Sequence, residues 1–304
     1  MNTENDKQGA SPRRKALLRL RRLAFISVVT AIAGYLAVLA GAYLFQRKLT
    51  YFPTPIPAGE SVLLATDRNT NEEWIDTADG FRLHVVYKPA ADSRKTILYL
   101  HGNAHNLTDR LPLFRELAAL GLGCLLIDYR GFGRSTGRPT EKGLYEDARA
   151  SMAWLERKGV PASMVILFGE SIGTGVAVET ALHHKVAGMV LQSPYTSIPD
   201  VGGHHFRILP AGLLMHDRFD SLSKAASIRC PSLSIWADRD RIVPPRFSER
   251  LFAALPQPKR NIVLKGSEHF DIISLGRKQY LEAWTEFVAL CGGDRPAAPV
   301  NGRG

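Results

Sequence analysis

Val165-Ile166-Leu167-Phe168-Gly169-Glu170-Ser171-Ile172-Gly173-Thr174-Gly175-Val176-Ala177 reads as a buried strand, an abrupt turn and the first turns of a helix. A chain that reverses within Gly169–Gly173 needs glycine at both ends of the turn, because the helix must then pack close against the strand it has just left. Such a turn holds the Ser171 hydroxyl outward above a helix N-terminus, where free backbone N–H groups stabilise a developing oxyanion. The five-residue pattern alone is a weak signal, arising by chance about 0.1 times in a chain this long. Its meaning comes from the strand before it and the helix after it. The bland alternative is a glycine-rich strand–helix turn carrying an unreactive serine.

A serine hydroxyl is a weak nucleophile without a base, and histidine is the usual one. Of the nine histidines, His183-His184 close a helical stretch, His204-His205 fall in an irregular segment and His84 sits inside a strand pattern. Solvated or packed side chains, rather than metal ligands, are the expectation for these. His269 differs. It follows the strand-like Asn261–Leu264 and the loop Lys265-Gly266-Ser267-Glu268, and so completes the chain order serine, acid, histidine. The acid belongs between them, in Trp236-Ala237-Asp238-Arg239-Asp240-Arg241-Ile242-Val243-Pro244. Asp240, just ahead of a helix start, is free to reach sideways to His269; Asp238 is closer to the strand end and suits the loop backbone. One oxyanion donor is expected from the N–H of Ile172. The other is expected from the loop His101-Gly102-Asn103-Ala104, with Asn103 favoured over Ala104. His101 itself reads as structural.

Outward from this centre, short apolar runs alternate with helical patterns. Runs at Thr96–Leu100, Cys124–Asp128, Met164–Phe168, Val186–Leu191, Ser232–Trp236 and Asn261–Leu264 read as strands. Leu107–Leu120, Lys142–Lys158, Ile172–His183, Arg246–Leu255 and Ile273–Leu290 read as helices. Trp74–Thr77 and Phe81–Tyr87 flank Ala78-Asp79-Gly80 and form a hairpin. The pattern predicts an α/β fold with a mostly parallel sheet, helices on both faces and an antiparallel addition at its start. Pro194–Ser221 breaks the alternation and is expected to form a small cap insertion. The hydrolytic centre is thus expected within a domain at 71–291, with a polar, Gly/Pro-rich disordered tail at 292–304.

With 304 residues, 45% of them hydrophobic, the chain buries a sizeable core without disulfides or structural metal. Cys124, Cys230 and Cys291 are odd in number and lack CxxC spacing, so neither a disulfide framework nor a zinc site is expected. The net charge of +10 does not imply a nucleic-acid partner. Half of it lies in residues 1–22, where Lys7, Arg13, Arg14, Lys15, Arg19, Arg21 and Arg22 face only Glu4 and Asp6. Residues 23–45 follow with no charged side chain. As a helix they extend about 34 Å, enough to cross a hydrocarbon core of about 30 Å. The basic flank predicts a single-pass membrane helix with a cytoplasmic N-terminus and the catalytic domain outside the cytoplasm, in the periplasm if the source is bacterial. The rival is a cleaved signal peptide ending at Ala40-Gly41-Ala42. A linker at 46–70 contains Tyr51-Phe52-Pro53-Thr54-Pro55-Ile56-Pro57, an extended, non-helical tether.

Several segments together resemble the membrane-anchored α/β-hydrolase-domain proteins of the bud-emergence type, often described as serine aminopeptidase-like. They are Gln46–Pro53, His101–Ala104, Asp128-Tyr129-Arg130-Gly131-Phe132-Gly133-Arg134-Ser135, Gly169–Gly173, Ser193–Ser197, Asp217–Ser221 and Gly266–His269. The resemblance implies the α/β-hydrolase fold, an N-terminal anchor, no cofactor and a Ser-Asp-His triad that falls on Ser171, Asp240 and His269. Ala237 departs from it, since such proteins usually carry glycine there. Members of known activity include protein depalmitoylases and other esterases; the depalmitoylases act on the cytoplasmic face, opposite to the side expected here. The expected activity is therefore hydrolysis of a carboxylic ester or thioester, with a small-molecule or lipid-like acyl substrate. Amide cleavage of the aminopeptidase kind is the alternative within hydrolases, and a non-catalytic anchored scaffold is the alternative outside them. The apolar residues of the cap, Phe206, Ile208, Leu209, Leu213, Leu214 and Met215, either shape an acyl pocket or pack on the core.

Overall fold

A computed structural model describes residues 12–292 apart from 60, 66, 92 and 93. The predicted tail, apart from Gly292, and the first half of the basic N-terminal block lie outside the described residues. The chain forms two compact units, the first ending at Gln46 and the second beginning at Arg47.

The first unit is helical. Helix α1 (Pro12–Thr50) runs through it and beyond the predicted span at both ends. Its best 18-residue window has a mean hydropathy of 2.3 and none of it is buried. Leu23, Phe25, Leu36 and Leu44 are 57–73% exposed. Water would not tolerate an apolar surface of this length, whereas a bilayer would. Among the described residues, this is the one helix long and apolar enough to cross a membrane.

In the second unit, β1 (Phe52–Pro53), β2 (Asn71–Asp76), β3 (Arg82–Lys88), β4 (Thr96–Leu100) and β5 (Ala104–His105) precede α2 (Leu111–Ala119) and β6 (Gly123–Ile127). Next come α3 (Glu141–Arg157), β7 (Val165–Glu170), α4 (Ile172–His183) and β8 (Gly188–Gln192). The cap segment supplies α5 (Ile198–His205) and α6 (Ala211–Leu214), and α7 (Ser221–Ala225) closes it. The chain ends with β9 (Ser232–Ala237), α8 (Pro245–Ala254), β10 (Lys259–Leu264) and α9 (Ile272–Leu290).

Eight strands form one sheet in the order β10-β9-β8-β7-β4-β6-β3-β2. All pairings from β6 to β10 are parallel, and β3 alone runs against them, pairing antiparallel with β6 and β2. The central strands are apolar throughout because both faces are covered. In β4, Leu98 and Leu100 join the core under α3, α4 and α8, with Leu144, Val176 and Leu251. Ile97 and Tyr99 join the opposite core under α2 and α9, with Leu117, Tyr280 and Trp284. The chain order reverses on either side of β4, whose neighbours are β7 and β6, and in such sheets the crevice outside the carboxyl ends of the strands is the natural site.

The proline tether is not a free linker. Phe52 and Pro53 pair in parallel with Ala104 and His105, and Pro55 bridges Gly133. The N–H groups of Phe52, Thr54 and Ile56 donate to the carbonyls of Asn103, His105 and Gly133 at 2.8, 3.1 and 3.3 Å. Prolines occupy the alternate positions 53, 55 and 57. Residues of a strand alternate their donors between its two edges, so this spacing removes N–H groups only from the unpaired edge.

Candidate active site

Five loops at the carboxyl ends of β4, β7, β8, β9 and β10 meet at one point. Ser171 follows β7 in a conformation rare for a non-glycine residue, φ 51° and ψ −117°. The surroundings hold that strain in place: Ser171 N donates to Gln192 O at 2.8 Å and Ser171 O accepts from Thr174 N and Thr174 Oγ1 at 2.9 and 2.7 Å. Gly102, in the loop after β4, lies beside it: an added Cβ would stand in van der Waals contact with Ser171 Cβ, at 3.6 Å.

After β10, His269 turns its Nδ1 to Asp240 Oδ2 at 2.6 Å, and Asp240 is all but buried. Asp240 has no unused oxygen. Its Oδ1 accepts from the N–H groups of Ile242 and Val243 at 2.9 and 2.7 Å, and its Oδ2 also accepts from Ser193 Oγ at 3.1 Å. Asp238 goes elsewhere and accepts from Gly266 N at 2.7 Å. It thereby ties the β9 loop to the loop that carries His269. The structure thus brings His269 together with Asp240 rather than with Asp238.

Ser171, His269, Asn103 and Ala104 line one cavity of about 250 Å³. Its apolar lining is Tyr99, Leu113, Phe270, Ile272 and Ile273, from β4, α2, the loop after His269 and the start of α9. None of the six cap residues weighed as an acyl pocket lines it. Phe206, Ile208 and Leu213 stand exposed instead.

Glu170, between Gly169 and Ser171, lines the cavity too. It accepts from Tyr99 Oη at 2.8 Å and from Arg110 Nη2 at 3.2 Å. Burial pushes the Glu170 carboxyl up, but the Arg110 charge and these hydrogen bonds outweigh it and hold the group below the usual carboxylate range. His101 is fully buried and is pushed down to about 3, by burial first and then by the charge of Arg110. It is a neutral ring whose Nδ1–H donates to Gly102 O at 2.6 Å, which makes it a support of the loop rather than an acid or base.

His105 also lines the cavity, and four other histidines have partners elsewhere. His84 meets Glu72, His183 meets Glu179, His204 accepts from Arg246, and His205 meets Ile242 O. No group of three or more candidate metal ligands occurs among the described residues. Sequence reasoning missed Ser193 and the Tyr99–Glu170–Arg110 set. Ser193 carries a readable signal, since it directly follows β8 on the edge where the other site residues follow their strands. Arg110 carries none, being one charge in an ordinary amphipathic stretch.

The sequence profile described as "Serine aminopeptidase, S33" matches residues 91–214. Uncharacterized protein Rv2307c of Mycobacterium tuberculosis is 38% identical over 278 residues, covering 90% of this chain and 97% of its own length. Protein bem46 of Schizosaccharomyces pombe is 28% identical over 277 residues, covering 82% of this chain and 91% of its own. Among solved structures, the esterase Pf2001 of Pyrococcus furiosus superposes with a TM-score of 0.66 at 20% identity, over 79% of this chain and 98% of that one.

Proposed function

Because this chain belongs to the serine aminopeptidase S33 family of α/β hydrolases, we propose that it is a serine hydrolase that cleaves a carboxylic ester or thioester through an acyl-enzyme. The observation that carries this reading is the His269–Asp240 pair at 2.6 Å, set in the same cavity as a serine held at φ 51°. Ser171 Oγ attacks the acyl carbonyl while His269 Nε2 takes its proton. Asp240 holds Nδ1–H, fixes the tautomer and stabilises the imidazolium. The N–H groups of Asn103 and Ile172 receive the oxyanion, and a donor of this kind is worth about 10²–10³ in kcat. Collapse expels the alcohol or thiol with the proton from His269. The ring then activates water, which attacks the acyl-enzyme and releases the acid and Ser171. No cofactor enters any step.

Two features favour an acyl ester over an aminoacyl amide. Part of the lining, Tyr99, Leu113, Phe270, Ile272 and Ile273, is apolar and suits an acyl chain, beside the polar Asn103, His105, Asp109 and Gln192. The Glu170 carboxylate is committed to Arg110 and Tyr99, which leaves it no free charge for an α-ammonium. A fluorophosphonate probe is expected to label the full-length protein, with the adduct on the peptide that contains Ser171. A folded sample that takes up no probe points to the non-catalytic scaffold instead. p-Nitrophenyl esters are expected to turn over at least tenfold faster than aminoacyl p-nitroanilides of matched KM, and the reverse order would make the protein a peptidase.

The basic residues ahead of the uncharged run 23–45 support a single-pass anchor with the N-terminus in the cytoplasm and the second unit on the far side. Alkaline phosphatase fused at the C-terminus in a bacterial host is then active. An inactive, stably expressed fusion overturns that orientation.

A further inference from the structure

The segment Thr50–Thr54, read from sequence as part of a linker, lies on the candidate oxyanion loop. Asn103 is held by it twice. Its carbonyl accepts from Phe52 N at 2.8 Å and its side-chain Nδ2 donates to Thr50 O at 2.7 Å. Two residues on, His105 O accepts from Thr54 N at 3.1 Å. Thr54 O in turn accepts from Asn106 Nδ2 and Gly133 N at 3.1 and 3.2 Å. His105 sits at φ 66°, a conformation a non-glycine residue keeps only when its neighbours impose it. Beside it, buried Tyr51 donates its hydroxyl to Asp217 Oδ2 at 3.1 Å, and Arg47 Nε reaches the same oxygen at 3.3 Å. Asp217 leads into Arg218 and Phe219, whose N–H groups bind Glu141 at 2.6 and 2.9 Å. The segment is therefore pinned at one end to the close of the cap and at the other to the loop that lines the cavity.

Besides this segment, the loop after β4 is held by His101 Nδ1–H on Gly102 O at 2.6 Å and, at its far end, by Leu107 N on Asp128 Oδ1 at 2.7 Å. Of its residues, Ala104 and His105 form a two-residue strand whose partner is β1. A backbone donor stabilises an oxyanion only when it is aimed before the reaction starts, and a displacement of about 1 Å costs on the order of 100-fold. We propose that Thr50–Thr54 is a positioning element of the active site: it fixes the Asn103 N–H for the oxyanion, so the strand that leaves the anchor helix is required for turnover. The inference rests on the serine hydrolase reading above. The spacing of prolines 53, 55 and 57 supports it independently, because it keeps the donors that grip the loop and removes only those facing away from it. The chain that ties the domain to its anchor thus also holds a loop of its catalytic machinery, and a domain trimmed to its predicted core at residue 71 lacks that support.

The test uses the full-length protein in detergent. Thr54→Pro removes the N–H given to His105 O at 3.1 Å and sets the ring Cδ against that carbonyl, so the contact between strand and loop is broken there. Asn103→Ala removes the side-chain bond to Thr50 O and keeps the main-chain N–H. Each variant is expected to lower kcat for p-nitrophenyl ester hydrolysis about tenfold or more, with KM within threefold and an unchanged melting midpoint. This is the signature of an interaction lost in the transition state only. Thr54→Val, which keeps the N–H, is expected to restore the wild-type kcat. Wild-type kcat in both Thr54→Pro and Asn103→Ala, or a kcat that falls only in proportion to the folded fraction, overturns the assignment. If the wild type itself takes no fluorophosphonate and hydrolyses no ester, the serine hydrolase reading has failed rather than this one.

Discussion

Asp240→Asn is expected to lower kcat for ester hydrolysis by about 10³- to 10⁴-fold while the protein stays folded. The size follows from which way the new amide must face. Oδ1 of Asp240 accepts from two backbone N–H groups, those of Ile242 and Val243. An NH2 placed there would set donor against donor, so the amide oxygen keeps that position. The NH2 then points at His269 Nδ1, where the carboxylate oxygen now lies at 2.6 Å. By donating to Nδ1 it forces the ring proton onto Nε2, the nitrogen that must accept the proton of Ser171. The base is present and correctly placed but in the wrong tautomer. Ester-substrate kinetics with purified protein check this, alongside a thermal melt showing that the loop has not collapsed. Residual activity within tenfold of wild type would remove Asp240 from the proposed triad.

Gly173→Ala is expected to destabilise the fold by about 3 kcal/mol or more. Within a helix this substitution ordinarily stabilises, by about 1 kcal/mol. Here the added Cβ would stand 2.0 Å from Leu100 O and 2.8 Å from His101 O. Both are backbone atoms of β4 and the loop after it, so no side chain can swing aside. Helix α4 would have to lift off β4, and Ser171 would rise with it. Urea denaturation followed by tryptophan fluorescence reads the loss, and a cost below about 1 kcal/mol would show that the helix has room the structure does not suggest.

The features legible in the sequence were those written in local pattern. Alternating strands and helices follow from apolar periodicity, and the turn at Ser171 follows from its glycines. Asp240 stands out from Asp238 because it faces a helix start. The features that were not legible depend on distant pairing. Nothing in the runs themselves says that β4 lies between β7 and β6. The tether around Pro53 reads as a spacer because prolines usually mark one; its meaning lies in the parity of its donors to Asn103 O and His105 O, about fifty residues away in sequence. The cap was weighed as an acyl pocket from composition alone. The cavity wall instead comes from Leu113 on α2 and Ile272 and Ile273 on α9, residues that look like ordinary core positions until the loops converge. The commitment of Glu170 to Arg110 arises only because the short turn ahead of α2 brings Arg110 to the end of β7.

The proline spacing has a consequence beyond the active site. An open strand edge attracts other strands when it offers both donors and acceptors. The outward-facing positions 53 and 55 are exposed prolines, and their edge offers carbonyls with no N–H beside them. Copies anchored side by side, as proposed, would meet at high local concentration. A strand from one copy finds no donor on this edge of another. The same three residues that orient the tether toward the loop therefore guard the molecule against sheet-to-sheet aggregation in a crowded plane.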